Sequence, residues 1–234
     1  MEFEGRTVLI TGAAGNLGRA VGGAFGALGA NLVLVDRRRE DLDVHGSAGP
    51  RCLLAAADLL SLGEVQAAVD SALGRFGRVD VLCNIAGGFR MGEPVHECPD
   101  ETFDFLFNIN AKSLLHSVRA VVPQMISNGG GKVVNIGAFG AQKGAAYMGA
   151  YSASKSAVIR LTEAMAAELR DKGINVNCVL PTIIDTPENR SAMPDADPAR
   201  WVSTHDLAQV IVFLASDGAR ALHGASLPVT GLSG

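Results

Sequence analysis

A glycine-rich turn near the start of the chain lies between an apolar run and a helical stretch. Residues 6–10 contain the apolar run expected of a strand that is covered on both faces. Gly12, Gly15 and Gly18 follow as G-x-x-G-x-x-G, and small and apolar residues dominate positions 16–28. Glycines remove the Cβ atoms that would hold the backbone away from a pyrophosphate, and a helix N-terminus offers free N–H groups to it. The pattern predicts a strand, turn and helix that bind a dinucleotide.

An acidic residue follows the next apolar run. Residues 31–35 form a second predicted strand that leads into Asp36, eighteen residues after Gly18. A carboxylate there can accept hydrogen bonds from the ribose hydroxyls of an adenosine, and it would repel a 2′-phosphate. NAD(H) is therefore the preferred cofactor. NADP(H) remains possible because one arginine of 37–39 could reach a phosphate, although such a run can also open a short solvated helix.

Strand and helix patterns alternate along the rest of the chain. This alternation predicts an α/β fold of the Rossmann type, with a doubly wound, mainly parallel seven-stranded sheet and helices on both faces. Ser61 is the predicted cap of the second helix. Further strands are predicted at 53–57, 79–83, 132–136, 174–180 and 227–230, and helices at 61–76, 101–127, from Tyr151, and near 205–215. Ligands bind at the carboxyl ends of such strands, where Asp36, Asp58, Asn84 and Pro181 would meet.

Length and composition limit the alternatives. A chain of 234 residues is expected to form a single domain over 1–234. With 48% apolar residues, 19% charged residues and a net charge of −4, neither disorder nor a nucleic-acid-binding surface is indicated. The longest uncharged run, 20–35, is too short for a membrane span, and no secretory signal is recognisable, so a cytoplasmic location is expected. Four scattered cysteines are expected to be reduced, and no metal site is expected.

Tyr151 and Lys155 are four residues apart at the start of an apolar-periodic stretch. On a helix this spacing places both side chains on one face. A nearby cation favours phenolate, so we expect Lys155 to lower the pKa of Tyr151 and to suit the phenol to proton transfer. Such a pair is uninformative by itself, and its value depends on the motifs around it.

Together these motifs make the chain similar to the short-chain dehydrogenase/reductase family over essentially its whole length. The resemblance rests on Thr11-Gly12 with its glycines, Asp58, Asn84-Ile-Ala-Gly87, Asn110, Val134-Asn135-Ile136, Tyr151 with Lys155, and 181–186. It implies an NAD(P)(H)-dependent oxidoreductase that transfers a hydride between nicotinamide and a C=O or C=N carbon of a small molecule.

The resemblance also implies roles for individual residues. Tyr151 would be the general acid/base, Lys155 would lower its pKa and hold the nicotinamide ribose, and Asn110 would hold a water chain for proton relay. Thr186 and the backbone near Ile184 would contact the nicotinamide carboxamide. The cofactor-binding set is Gly12, Gly15, Asn16, Leu17, Gly18, Asp36, Asp58, Leu59, Asn84, Ala86, Gly87, Tyr151, Lys155, Pro181, Ile184 and Thr186.

Three positions depart from the family pattern. The first gap between glycines is shorter than usual, and Thr182 follows Pro181 where glycine is usual. More important, Ala138 stands thirteen residues before Tyr151, where the family has its catalytic serine. A hydrogen-bond donor to the reacting oxygen is therefore missing, a loss worth about 10² to 10³ in rate for carbonyl chemistry when nothing replaces it.

Two alternatives follow from Ala138. Dihydropteridine reductase, a divergent member of the family, also lacks this serine and reduces a conjugated C=N system. The segment from Asp185 to Trp201 resembles the loop of that enzyme after the sixth strand. The other alternative is a catalytically impaired regulator that still binds the dinucleotide. The retained Tyr151, Lys155 and Asn110 weigh against it.

Substrate recognition and assembly are less constrained by the sequence. Phe89, Arg90 and Met91 follow the fourth strand, and residues 187–203 could close over the site as a lid. Arg90 and Arg190 are expected to form surface salt bridges rather than to bind substrate, and Trp201 is expected to anchor its loop by packing. Family members form dimers or tetramers through the helices matching 101–127 and 150–170, so a homotetramer or homodimer is implied.

Overall fold

A parallel sheet runs through the chain in the computed structural model, which describes residues 2–46 and 49–233. Within those residues its seven strands lie in the order β3-β2-β1-β4-β5-β6-β9. The strands are β1 (Thr7–Thr11), β2 (Asn31–Asp36), β3 (Cys52–Ala56), β4 (Val81–Asn84), β5 (Gly131–Ile136), β6 (Ile174–Pro181) and β9 (Ser226–Val229). A separate parallel pair joins β7 (Ile184–Asp185) to β8 (Val202–Ser203). The prediction of a doubly wound parallel sheet of the Rossmann type is confirmed.

Helices connect the strands and cover both faces of the sheet. They are α1 (Asn16–Ala27), α2 (Leu62–Phe76), α3 (Asp100–Phe107), α4 (Ser113–Ser127), α5 (Gly149–Leu169), α6 (Pro187–Ala192) and α7 (Thr204–Ala215). Short 3₁₀ segments lie at Glu40–His45, Val95–Glu97, Phe139–Ala141, Arg170–Lys172, Pro198–Arg200 and Asp217–Ala219.

Two hydrophobic cores result from this arrangement. On one face, α2, α4 and α5 pack over Leu9, Val33 and Leu82. On the other, α1 and α7 pack over Val8, Ile10 and other strand residues. Neighbouring positions of β1 therefore point into opposite cores, as the alternation of side chains along a strand requires. Because both faces are covered, most strand residues are apolar, and polar exceptions such as Asn135, Asn175 and Asn177 are buried with hydrogen-bond partners.

The register of the strands places residues with hydrogen-bonding side chains next to one another at the carboxyl ends of β1, β4 and β5. Thr11, the last residue of β1, pairs with Val35 on one side and with Asn84 on the other. Asn84 in turn pairs with Asn135 of β5. The chain leaves β1 between β2 and β4, where the strand order reverses, and this is the place where doubly wound sheets bind ligands.

The predicted element boundaries need small corrections and one larger one. The third strand begins at Cys52, and the fourth runs from Val81 to Asn84 because 79 and 80 still belong to the approach loop. Ser61 caps α2 as predicted, accepting a hydrogen bond from the Glu64 N–H. The predicted helix 101–127 is divided, since a π-helical turn at Asn108–Lys112 separates α3 from α4.

Residues 187–203, which were predicted to be able to close as a lid, connect β7 to α7 and contain α6 and β8. Thr186 caps α6, and Trp201 is only 7% exposed, which agrees with a packing role. Arg190 pairs with Asp185 through two short hydrogen bonds, so the expected surface salt bridge is confirmed. For Arg90 that prediction was wrong. Its guanidinium lies 4.1 Å from the Phe105 ring centroid, and no ion pair of Arg90 is found among the described residues.

Candidate active site

The glycine turn after β1 has a shape that only glycine permits at two of its positions. Gly12 has a φ of +64°, and a Cβ there would lie 2.8 Å from the Cα of Ala86. A Cβ on Gly18 would lie 2.2 Å from the carbonyl oxygen of Gly12. At Gly15 the nearest atom would be 3.4 Å away, which is an ordinary contact. The turn is therefore packed tightly against β4 and against itself, and it leaves the first N–H groups of α1, at Asn16, Leu17 and Gly18, without partners inside the helix.

Asp36 holds the turn against the end of β2. Its Oδ2 accepts a hydrogen bond from the Ala14 N–H at 2.9 Å, and its Oδ1 accepts one from the Arg37 N–H at 2.8 Å. Each carboxylate oxygen retains lone pairs for a further donor. Of the three arginines that follow, Arg38 pairs with Asp41 and Arg39 with Asp43.

The end of β4 is tied to β1 and β5 by side chains. The Thr11 hydroxyl oxygen accepts hydrogen bonds from the N–H groups of Ile85 and Ala86. Asn84 donates to Asn135 at 2.9 Å, and its own carbonyl oxygen is buried with no partner in the part of the chain that the structure describes. A buried acceptor without a hydrogen bond destabilises the protein unless a ligand or a water supplies a donor. The side-chain oxygen of Asn84 is therefore suited to accept a hydrogen bond from a ligand.

Asn110 is directed inward by the π-helical turn and is 3% exposed. Its Oδ1 accepts from the Gly88 N–H at 2.9 Å, while its Nδ2 donates to the Gly88 carbonyl at 3.1 Å and to Ser154 Oγ at 3.0 Å. The amide thus joins the segment after β4 to helix α5. The sequence motif identified Asn110 but did not identify Ser154, whose only signal is a hydroxyl on the apolar face of a helix.

Lys155 is buried, with 5% of its surface exposed, and donates a hydrogen bond to the Ile136 carbonyl at 2.8 Å. Burial lowers its pKa to about 8, an effect that the nearby Cys178 partly opposes. Lys155 and Asn110 meet at Gly87, where a Cβ would lie 3.1 Å from the lysine Nζ and 3.0 Å from the asparagine Oδ1. Gly87 therefore leaves space that both polar groups face.

Tyr151 lies one turn before Lys155 on α5, with the edge of the Phe89 ring packed on it at a centroid distance of 4.7 Å. The expectation that Lys155 lowers the Tyr151 pKa is wrong for this structure. Burial raises the pKa of Tyr151 to about 12, and Lys155 does not contribute. The physical reason is that the shared helix face is poorly solvated, while the ammonium is bonded to Ile136.

Gly137 and Ala138 come directly after β5, which ends at Ile136. Ala138 is 6% exposed and extended, with φ −155° and ψ 143°. A Cβ on Gly137 would lie 2.5 Å from a Leu180 methyl and 2.9 Å from the Cys178 sulfur, so β5 and β6 require glycine at this position. The backbone at 138 could carry a serine, and the sequence simply does not place one there.

The remaining predicted cofactor residues lie along the same edge of the sheet. Asp58 follows β3 and accepts a hydrogen bond from the Leu60 N–H, while the Leu59 carbonyl is bonded to the buried His116 ring. Pro181 ends β6. Ile184 and Thr186 come next, with the Ile184 carbonyl accepting from Asn189 and the Thr186 hydroxyl capping α6.

One contact across this edge has no signal in the sequence. Asn16, at the start of α1, donates through Nδ2 to the Glu188 carboxylate at 2.8 Å. Glu188 lies in the first turn of α6, and hydrogen bonds there lower its pKa. The glycine turn and the segment after β6 are 172 residues apart in the chain, so only the folded structure reveals that they touch.

Two kinds of feature are absent from residues 2–46 and 49–233. No helix there is long and apolar enough to cross a membrane. No group of three or more His, Cys, Asp or Glu side chains gathers in a way that could hold a metal ion.

Comparisons with known proteins place this geometry in a family. The sequence profile of the short chain dehydrogenases matches residues 6–197. D-threitol dehydrogenase of Mycolicibacterium smegmatis is 31% identical over 243 residues, covering 98% of this chain and 93% of that protein.

Solved structures give the same result. The 3-ketoacyl-(acyl-carrier-protein) reductase of Brucella melitensis, complexed with NADH, superposes with a TM-score of 0.88 at 31% identity, covering 98% of this chain and 99% of that one. Carveol dehydrogenase of Mycobacterium avium, in complex with NAD, gives 0.88 at 29% identity, covering 99% and 98%. These relatives favour the enzyme over the regulator as the interpretation of the cleft. The chain belongs to the short-chain dehydrogenase family and is an NAD(P)-dependent oxidoreductase.

Proposed function

We propose that the enzyme reduces or oxidises a C=O or C=N carbon of a small molecule, with Tyr151 exchanging the proton. The observation that carries this proposal is the convergence of Lys155 and Asn110 on the space beside Gly87, one helical turn from Tyr151. A phenol, an ammonium and an amide in one poorly solvated place can move a proton without bulk water. The buried setting also strengthens their electrostatic effect on a reacting atom.

Each of the three residues has a distinct part in this proposal. Tyr151 gives its proton to the substrate atom that gains charge during reduction. Lys155 fixes the end of β5 through Ile136 and brings a buried ammonium to the space beside Gly87, where it would hold the ribose of a bound nicotinamide. Asn110 holds Gly88 on both its N–H and its carbonyl, which fixes the backbone that faces the substrate.

The cleft fits a nicotinamide dinucleotide. Gly12, Gly15 and Gly18 would admit its pyrophosphate to the start of α1, beside Asn16 and Leu17. When bound, the nicotinamide supplies or accepts the hydride. Contacts to the rest of the molecule would come from residues spread along the edge, namely Asp36, Asp58, Leu59, Asn84, Ala86, Gly87, Pro181, Ile184 and Thr186.

NAD(H) is the proposed preference over NADP(H). Asp36 presents its carboxylate at the end of β2, where it would repel a 2′-phosphate. Arg38 and Arg39, which could have offset that repulsion, pair with Asp41 and Asp43. Relatives seen with NAD or NADH fit this preference.

Ala138 bears on the type of substrate. Without a hydroxyl at 138, an alkoxide developing on a carbonyl oxygen would have one donor fewer than in the usual family site. A conjugated C=N substrate, of the kind that dihydropteridine reductase reduces, spreads its charge and depends less on such a donor. This observation keeps a C=N substrate as a second candidate.

The substrate would lie beside Phe89, whose ring packs on Tyr151. Next to this place, a cavity of about 320 Å³ lies between the segment after β4, the start of α3 and the start of α5, with Ala150 and Ala153 but not Tyr151 in its lining. The Gly92 N–H donates to the Tyr147 carbonyl, and a Cβ on Gly149 would meet Val95, so the two walls are packed together. The size fits a small molecule.

We also propose that the enzyme acts as a homodimer or homotetramer in the cytoplasm. Phe103 and Phe105 on α3 and Ile126 on α4 are 45%, 37% and 41% exposed, which is unusual for side chains of this size. The four cysteines are free thiols, as a reducing compartment allows. Light scattering of the purified protein would give the number of subunits.

A substrate panel tests the proposed chemistry. Carbonyl compounds and a quinonoid dihydropterin, each with NADH and with NADPH, should reveal turnover of at least one class. Tyr151→Phe should lose turnover by a factor of about 10² or more while binding of NADH, followed by fluorescence, changes little. Turnover that survives in Tyr151→Phe would remove Tyr151 from the mechanism.

A further inference from the structure

A second cavity, of about 530 Å³, lies at the edge of the sheet opposite the glycine turn. It opens where β1, β4, β5 and β6 begin, so it shares no lining residue with the candidate active site. Gly131 and Gly173 form part of its wall, and charged side chains form most of the rest.

The charges that line this cavity are strongly unbalanced. Its cationic side chains are Arg6, Arg78, Lys132, Arg170 and Arg220, and its carboxylates are Asp80 and Asp217. With His223 neutral the lining carries a formal charge of +3, whereas the whole chain carries −4. The positive charge is therefore concentrated at this place and is not a general property of the surface.

The two carboxylates are already engaged. Asp217 accepts from Arg6 at 2.6 Å, and Asp80 contacts Arg78 at 2.5 Å while its other oxygen accepts from the Thr7 N–H. Each guanidinium has five N–H donors, so a single contact to a carboxylate leaves donors free. The two ion pairs therefore lower the net positive charge of the cavity, but they leave other N–H groups of Arg6 and Arg78 free to bind a ligand.

The other cations have no carboxylate within ion-pair distance among the described residues, and Lys132 and Arg220 act on Asp217 only from farther away, where they help to lower its pKa. Lys132 donates to the neutral Asn175 side chain at 2.7 Å. Burial lowers the pKa of Lys132, an effect that Asp217 partly opposes, so the ammonium is incompletely hydrated. No ion pair of Arg170 or Arg220 is found in the described part of the chain.

The ends of neighbouring helices explain only part of this cluster. Arg170 follows the end of α5, and Arg220 lies shortly after α7, where a cation meets the negative end of a helix dipole. Arg6 and Arg78 instead precede β1 and β4, and Lys132 lies within β5. The helix dipole, which amounts to about half a charge at a helix end, does not explain why Arg6, Arg78 and Lys132 also lie here.

We propose that this cavity binds a small phosphate-bearing anion. Arginine forks and a lysine held by Asn175 match the oxygens of a phosphate group, and charge-assisted hydrogen bonds of this kind are about twice as strong as neutral ones. A volume of about 530 Å³ has room for a phosphate ester of metabolite size. The proposal is independent of the function proposed for the opposite edge.

Calorimetric titration with inorganic pyrophosphate at low ionic strength tests this site. The informative variant is Lys132→Gln/Arg220→Gln, which removes two cations that have no carboxylate within ion-pair distance among the described residues. We expect saturable binding to the unaltered chain and at least about tenfold weaker binding to the variant. Lys143→Gln/Arg119→Gln removes the same charge from exposed positions outside the cavity and should change the affinity less than about twofold.

Pyrophosphate could also enter the glycine turn, so a third protein separates the two places. Gly15→Asp puts a carboxylate into that turn, where a Cβ has room, and it should leave binding in the basic cavity unchanged. Loss of binding in Gly15→Asp with full binding in Lys132→Gln/Arg220→Gln would overturn the proposal, as would the absence of saturable binding to the unaltered chain. Circular dichroism of each variant establishes that it is folded.

Discussion

The ammonium of Lys155 is bonded to the main-chain carbonyl of Ile136 at 2.8 Å, which joins helix α5 to the last residue of β5. The bond holds a cation in a place where burial lowers its pKa to about 8. The proposed chemistry uses the charged form of Lys155, whereas burial makes that charged form costly to the free energy of folding.

Lys155→Met should change how stability depends on pH. Between about pH 8 and 10.5 the unfolded chain binds a proton at Lys155 that the folded chain has released, so the contribution of Lys155 to stability rises with pH in this window. Methionine removes that rise, which amounts to about 3 kcal/mol. Urea unfolding at pH 7 and pH 10 measures it. Lys172→Met, at an exposed position, is the control and should keep the slope.

Tyr151 should resist ionisation in the folded protein. The chain has two tyrosines, so in Tyr147→Phe the near-ultraviolet phenolate signal comes from Tyr151 alone. Because burial raises the pKa of Tyr151 to about 12, phenolate should not form below pH 10 while the far-ultraviolet circular dichroism is unchanged. For the same reason this residue should reduce stability as pH rises from 10 towards 12. Ionisation below about pH 9 in the folded protein would contradict the prediction.

Ala138→Ser should separate carbonyl from C=N chemistry. Position 138 is extended and buried beside the site, so a serine there could donate to an oxygen that gains charge. We expect kcat/KM for a carbonyl substrate to rise by about tenfold or more, and that for a C=N substrate to change little. Ala141→Ser adds a hydroxyl at a buried position of the next turn and controls for the added polarity. Equal gains in both variants would argue against a specific donor at 138.

Asp36→Asn should weaken the discrimination between the two cofactors. The amide keeps the size of the side chain and can still accept from the Ala14 N–H, while its NH₂ group can no longer accept from the Arg37 N–H, and it does not repel a 2′-phosphate. The ratio of kcat/KM for NADH to that for NADPH should fall by about tenfold. Asp70→Asn, on the surface of α2, should leave the ratio as it is. An unchanged ratio in Asp36→Asn would place the specificity elsewhere.

Gly18→Ala should destabilise the fold by about 2 to 3 kcal/mol. The new methyl would meet the Gly12 carbonyl oxygen at 2.2 Å and the Ala13 backbone at 2.7 Å, and backbone atoms cannot rotate away. Gly23→Ala, in the same helix with nothing within 4 Å of its Cβ, should instead stabilise the protein by about 0.5 to 1 kcal/mol. Denaturant unfolding of the two variants gives the comparison directly, and similar effects in both would contradict the tight packing of the turn.

The fold was predictable because the central strands are covered on both faces and read mainly as apolar runs between helical stretches. The side chains at the strand ends, such as Asp36 and Asn84, were predictable for the same reason, since the carboxyl ends of parallel strands share one edge. Whether Tyr151, Lys155 and Asn110 have the proposed roles stays a prediction.

What the sequence could not supply depends on three-dimensional packing. The raised pKa of Tyr151 results from burial, which spacing along a helix does not report. The Asn16 to Glu188 hydrogen bond joins distant segments, and the basic cavity gathers residues from four strand ends and two helix ends. The stacking of Arg90 on Phe105, predicted instead as a salt bridge, likewise depends on a neighbour brought close by the fold.

The wide turn at Asn108–Lys112 also matters for anyone who edits this enzyme. It inserts one surplus residue into an otherwise regular helix, which shifts α3 and α4 out of rotational phase by about 100°. Removing one residue there would straighten the helix, but either Asn110 or the apolar stripe of α4 would then turn away from the protein interior. Chimaeras and loop transplants that cross this segment should therefore keep all five of its positions.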